Sequence, residues 1–110
     1  MINKDHLLKL LQQLDETLMK VDDKKDENDL EGSLEIIKGS YRKLLGITPE
    51  QKSEGFLDSI LSKEALAFSE LNILAELLNE EGDIYFELGE YKKSLIKYYQ
   101  TRDIFEYLNR

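Results

Sequence analysis

Apolar residues recur along this chain at steps of three and four, the spacing that gives a helix one buried face. Leu7, Leu11, Leu14, Leu18 and Val21 predict a first helix from about Lys4 to Val21, with Leu8 and Leu10 widening its stripe. Asp22 through Asp29 contains no apolar side chain, which predicts a solvated, mobile connection. Asp29 is placed to cap a second helix, where Leu30, Leu34, Ile37, Tyr41, Leu44 and Leu45 recur until Gly46 stops it. Gly39 falls inside that pattern and costs up to ~1 kcal/mol against Ala, so close approach of a neighbouring helix is its expected purpose.

Thr48-Pro49-Glu50-Gln51 reads as a helix start, with Thr as cap, Pro at the first position and Gln completing a capping box. A short helix over 49–61 should follow and bury Phe56, Leu57, Ile60 and Leu61. Ser62 reads as a fresh cap for a long helix from Lys63 to Leu88, broken only by Gly82. Two apolar rows run along it: Ala67, Leu71, Leu74, Leu78 and Tyr85, and Leu66, Ile73, Leu77, Ile84 and Leu88. A helix apolar on two sides lies between neighbours. Gly89 closes it in the left-handed conformation, and a last helix from about Glu90 to Tyr107 is expected to bury Tyr91, Leu95, Tyr98 and Phe105. The pattern predicts an all-α fold of about five helices in antiparallel pairs.

At 110 residues one domain with one core is expected over 1–110. A charged fraction of 35% exceeds the usual quarter and suits amphipathic helices with solvated outer faces. The net charge of −8 repels nucleic-acid phosphate and anionic lipid, and the sequence segregates no basic patch. Lys24-Lys25 is hemmed in by Asp22, Asp23, Asp26 and Glu27, and Lys92-Lys93 follows Glu90. There is no Cys, hence no disulfide, thiol nucleophile or zinc thiolate. Asp5 and His6 stand where a signal peptide would begin its apolar run, and no window is apolar enough to span a bilayer, so a cytoplasmic location is expected.

Leu78, Gly82, Tyr85, Gly89, Tyr91, Ser94, Tyr98 and Thr101 follow one another at the spacing of a helix–turn–helix unit, and Ala75–Leu108 resembles a tetratricopeptide repeat. Three positions depart from that pattern: Leu78 replaces Trp, Glu81 replaces the Leu before the glycine, and Glu106 stands where Pro ends the repeat. Residues 30–46 look like a degenerate second helix of the same kind, since Ser33-Leu34, Ile37, Ser40 and Leu44 superpose on Ser94-Leu95, Tyr98, Thr101 and Phe105 at one offset. The stretch 4–46 is then a degenerate helix pair with an acidic insertion in its turn, and 63–108 contains the good repeat. The whole chain is similar to a short bacterial family of tetratricopeptide-like type that has no activity assigned.

Candidate chemistry is thin. His6 is the single histidine and has no orienting partner in sequence. Glu27, Asp29, Glu31 and Gly32 mimic the start of a calcium loop, but Lys38 stands where its bidentate Glu is required. Glu76, Glu80, Asp83 and Glu87 share one side of the long helix, without the histidines a di-metal carboxylate bundle needs. The six tyrosines could form a stacking platform for nucleic acid, which the net charge opposes. The expectation is a non-enzymatic protein with no cofactor and no metal.

The resemblance implies a groove lined by the first helix of each pair, here Glu76, Asn79, Asp83, Phe86 and Glu87. Related domains that clamp a C-terminal carboxylate place Lys, Arg and Asn there, and only Asn79 conforms. The expected partner is therefore a protein or peptide with a basic or apolar segment. Repeat arrays close with a polar outer face, whereas Ile96, Tyr99 and Tyr107 form an outward wedge on the last helix. That wedge predicts self-association as a homodimer, unless the chain folds another helix over it. The alternative is a small regulatory or structural subunit of a hetero-complex.

Overall fold

Within α1, Lys4–Asp26, the side that turns inward carries Leu10, Leu14, Thr17 and Val21, and the Asn3 side chain caps the helix by accepting the His6 N–H at 2.8 Å. Thr17 fits among leucines because its hydroxyl donates to the Gln13 carbonyl at 2.9 Å. The inward face is rotated from the expected stripe, so Leu8, Leu11 and Met19 are exposed. A computed structural model describes residues 3–109 of the chain, and every regular element among them is helical.

Asp29 accepts the Gly32 N–H at 2.9 Å and opens α2, Leu30–Ser40, which runs on into a π-helical turn over Tyr41–Leu45 and stops at Gly46 (φ 70°). Residues 46–55 form a loop in which Ile47 and Pro49 are buried. Helix α3 spans Phe56–Lys63, α4 spans Phe68–Glu87, and α5 spans Tyr91–Leu108. Helix α1 packs on α2, α2 on α4, and α4 on α5, while α1 also meets α4 and α3 lies against α5. The core gathers Leu10, Leu14 and Val21 with Ile37 and Tyr41, and with Leu71, Leu74, Leu78 and Ile84 of α4.

Several expectations are corrected. The acidic run is no mobile insertion: α1 continues through Asp22–Asp26, with Lys24 and Lys25 favourably placed in its last turn. Thr48 and Pro49 start no helix, because the Thr48 hydroxyl accepts from Arg42 at 2.8 Å and Pro49 is buried in the loop. The short helix therefore begins at Phe56, after the left-handed Gly55 (φ 72°), and leaves Leu61 exposed. Ser62 caps nothing; α4 begins at Phe68, where the Glu70 side chain accepts the Ala67 N–H at 3.0 Å. Gly39 faces open space, with nothing within 4 Å of the position a Cβ would take.

The two antiparallel pairs, α1–α2 and α4–α5, are copies in register. Glu27, Asn28 and Asp29 N–H groups donate to Asp23, Lys25 and Lys24 carbonyls; Leu88, Gly89 and Glu90 donate in the same way to Ile84, Phe86 and Tyr85. Asn28 (φ 61°) and Gly89 (φ 79°) are the left-handed residues of the two turns. The Ser33 hydroxyl donates to the Val21 carbonyl at 3.1 Å, and the Ser94 hydroxyl to the Gly82 carbonyl at 2.8 Å. All these pairs keep the offset that relates Ser33 to Ser94, so α3 and its flanking loops are what separates one copy from the next.

Candidate functional site

The inner side of α5 is polar. Its buried residues are Ser94, Lys97, Gln100, Thr101 and Ile104, while Tyr91, Leu95 and Phe105, expected inside, are exposed, and Tyr98 is half-buried. Small side chains let the helices approach: a Cβ on Gly82 would stand 2.7 Å from the Tyr98 ring. That closeness turns the larger aromatic groups outward.

Lys97 and Glu81 are both buried and face each other with Nζ and Oε2 3.8 Å apart, too far for a hydrogen bond. The other oxygen, Glu81 Oε1, accepts from the Tyr41 hydroxyl at 2.6 Å. Neither Lys97 Nζ nor Glu81 Oε2 has a hydrogen-bond partner. Burial lowers the Lys97 pKa, helped by Lys38 and opposed by Glu81. Burial also raises the Tyr41 hydroxyl well above its ordinary value, and the adjacent Glu81 carboxylate raises it further. The same two causes push Tyr85 up to about 12.

Glu81 lies at the edge of a cavity of about 550 Å3. Lys38 and Tyr41 come from α2 and its π turn, Tyr85 from α4, Lys93 and Ile96 from α5, and Thr48, Pro49 and Gln51 from the loop. Lys38 and Lys93 hold their ammonium groups 5.8 and 5.6 Å from the centre of the Tyr85 ring. Gln100 fixes the loop, its amide donating to the Glu50 and Lys52 carbonyls at 2.8 Å each. Sequence reasoning missed this site. Its one visible trace was Glu81, at a position where the tetratricopeptide pattern has Leu; Lys97, next to Tyr98, which was expected in the core, gave no separate signal.

On the opposite side of α4 the predicted groove residues Glu76, Asn79, Phe86 and Glu87 are exposed and Asp83 is half-buried. Lys25 of α1 bonds Glu80 at 3.0 Å and reaches Glu87 at 3.8 Å, joining α1 to α4 along this face. Burial alone would lower the Lys25 pKa, and the Glu80 hydrogen bond and charge outweigh it and raise it. The Tyr98 hydroxyl donates to Asp83 at 2.5 Å. Beside it Phe86, Tyr91 and Leu95, 57, 63 and 50% exposed, frame a shallow apolar depression, and the Phe86 and Tyr91 rings meet edge-on at 5.3 Å.

The expected self-association wedge is divided. Ile96 lines the cavity, Tyr107 meets Phe68 edge-on at 5.8 Å, and Tyr99 lies under the Arg102 guanidinium at 4.9 Å. His6 is exposed, and Asp29 of the supposed calcium loop serves as a helix cap with Lys24 3.8 Å away. Among the described residues no cluster of three or more His, Cys, Asp or Glu is placed to hold a metal ion, and no helix is long and apolar enough to cross a membrane. Compared with known proteins, the chain matches no family model, no curated protein and no solved structure.

Proposed function

We propose that this chain is a non-enzymatic helical-repeat module that binds a protein segment along the α1–α4 face. The reading rests on the register shared by the two helix pairs. That register sets Leu11, Asp15, Leu18 and Asp22 of α1 in the row that Asn72, Glu76, Asn79 and Asp83 occupy on α4. The resulting strip offers apolar side chains on α1, carboxylates on both helices, and the Phe86–Tyr91–Leu95 depression at one end. A tetratricopeptide-like stack uses such a face for extended peptides, and its charge here fits a segment that carries apolar residues between Lys or Arg.

The test is a titration of the chain with fluorescent peptides of alternating Leu and Lys, measured by anisotropy. Asp83→Lys with Glu87→Lys should weaken binding at least tenfold and remove its salt dependence. Unchanged affinity in that variant sinks the reading.

Self-association is a second reading, favoured by the exposed row Leu8, Leu11 and Met19 on α1. A homodimer through this row would compete with the peptide. Sedimentation of the wild-type chain against Leu8→Lys with Met19→Lys distinguishes them, since only a dimer changes mass.

A further inference from the structure

The two ends of the helix stack are chemically unlike, and the shared register shows what one of them lacks. In the first pair α4 lies on an end face that includes Lys25, Leu34, Lys38 and Tyr41: Lys25 bonds Glu80, Lys38 stands over the Tyr85 ring, and the Tyr41 hydroxyl donates to Glu81. Leu34, on the same side of α2 as Lys38 and Tyr41, is left only 7% exposed. The offset that relates Ser33 to Ser94 puts Phe86, Leu95, Tyr99 and Arg102 at these four positions in the second pair, with Tyr91 at that of Leu30. There Leu95 is 50% exposed, and Phe86, Tyr91 and Tyr99 are exposed with it. The face that α4 covers in the first copy is open in the second. At the other end of the stack the likeness fails. Where α4 buries Ile73, Leu77 and Ile84, α1 has Gln12, Glu16 and Asp23, all exposed. Burying those groups unpaired is costly, so the α1 end of one copy is a poor substitute for α4 on the open face of another, and head-to-tail stacking is disfavoured.

We infer that a second copy of this chain covers the open face, the two α5 ends meeting about a two-fold axis. Such a pairing closes on itself and buries both faces at once. Phe86, Tyr91, Leu95, Tyr99 and the neighbouring Phe105 expose roughly 500 Å2 of side chain per copy, so two copies hide about 1,000 Å2, the size at which specific interfaces begin. Charge favours this end over the rest of the surface. The chain carries a net charge of −8, yet α5 sets Lys92, Lys93 and Arg102 against Asp103 and Glu106, while Lys97 is offset by Glu81. Two copies therefore meet here without the repulsion that their acidic sides would impose. The inference uses the shared register and is independent of peptide binding. The dimer closes the Phe86–Tyr91–Leu95 depression and leaves Asn72, Glu76, Asn79 and Asp83 open, so peptide affinity tests the α1–α4 reading and mass tests this one.

Sedimentation equilibrium of the full chain decides it. Wild type should show twice the chain mass at about 50 µM, within reach of an interface of this size. Tyr91→Lys with Leu95→Lys, both at exposed positions, should keep the helical circular dichroism and raise the dimer dissociation constant by at least ~100-fold. Leu8→Lys with Met19→Lys, at the α1 end, should leave the dimer mass unchanged. The inference is overturned if wild type keeps the single-chain mass up to about 500 µM, which leaves the face to a different partner. It is equally overturned if the α5 variant stays dimeric, if only the α1 variant loses the dimer, or if the mass grows past two chains.

Discussion

The Tyr98 ring occupies the space that a side chain at Gly82 would need, 2.7 Å from where the Cβ would sit. In the first pair the same two positions are Val21 and Ile37, both fully buried. The copies thus fill one gap by opposite divisions of volume. Gly82→Ala should cost ~1–3 kcal/mol through overpacking, read as a lower urea midpoint. Adding Tyr98→Ile to Gly82→Val rebuilds the first pair's solution and should recover part of the loss. A Gly82→Ala protein as stable as wild type would show the helices are not closely apposed there.

Gly39 makes the opposite case. Nothing lies within 4 Å of its absent Cβ, and the residue sits in regular helix. Gly39→Ala should therefore raise stability by ~0.5–1 kcal/mol, through helix propensity and a less flexible unfolded chain. A lower thermal midpoint in this variant would contradict the open surroundings.

Glu81 and Lys97, both buried, stabilise each other mainly by cancelling charge away from bulk solvent. Glu81→Gln leaves the Lys97 ammonium uncompensated and should cost ~3–5 kcal/mol in urea denaturation. Replacing both, Glu81→Leu with Lys97→Met, and adding Tyr41→Phe so that no buried hydroxyl loses its acceptor, should restore wild-type stability or exceed it by ~1–4 kcal/mol. If the triple variant is as weak as the single one, the pair contributes more than mutual neutralisation.

Alkaline pH should unfold the chain through its tyrosines. Tyr41 and Tyr85 ionise above their ordinary value in the fold, Tyr85 near about 12, because burial and then Glu81 disfavour the phenolate. Unfolded tyrosines ionise near ~10, so above that pH the unfolded chain binds fewer protons and stability falls. Lys97 acts in the other sense: its lowered folded pKa means stability rises as pH climbs from that value towards 10.5. Urea midpoints measured from about pH 8 to 12 should hold or rise and then drop past ~10. Tyr41→Phe should flatten the drop.

Periodicity and the Gly89 turn made most of the helical architecture legible. Leu71, Leu74, Leu78 and Ile84 are buried as their spacing demands, and Gly89 is left-handed. What failed depended on tertiary partners. Asp22–Asp26 stays helical in a turn whose Lys25 pairs with Glu80, fifty-five positions away. The Thr48-Pro49 signal is consistent with a helix start and equally with a loop, and the Arg42 donor decides for the loop. Ala65, left-handed at φ 47°, ends the α3 corner without any glycine to announce it. The predicted groove residues of α4 do share its outer face, whereas the cavity needs four separate segments and could not be read from one.

Gln100, buried on the inner side of α5, clamps the 50–52 strap, while α2 and α4 touch directly. The excursion between the copies is anchored by Ile47, Phe56 and Ile60, which join the core, while the direct α2–α4 contact leaves its far corner free of packing duty. That exposed corner at Ser62–Ala65 offers a place where foreign sequence can be spliced without levering the stack apart.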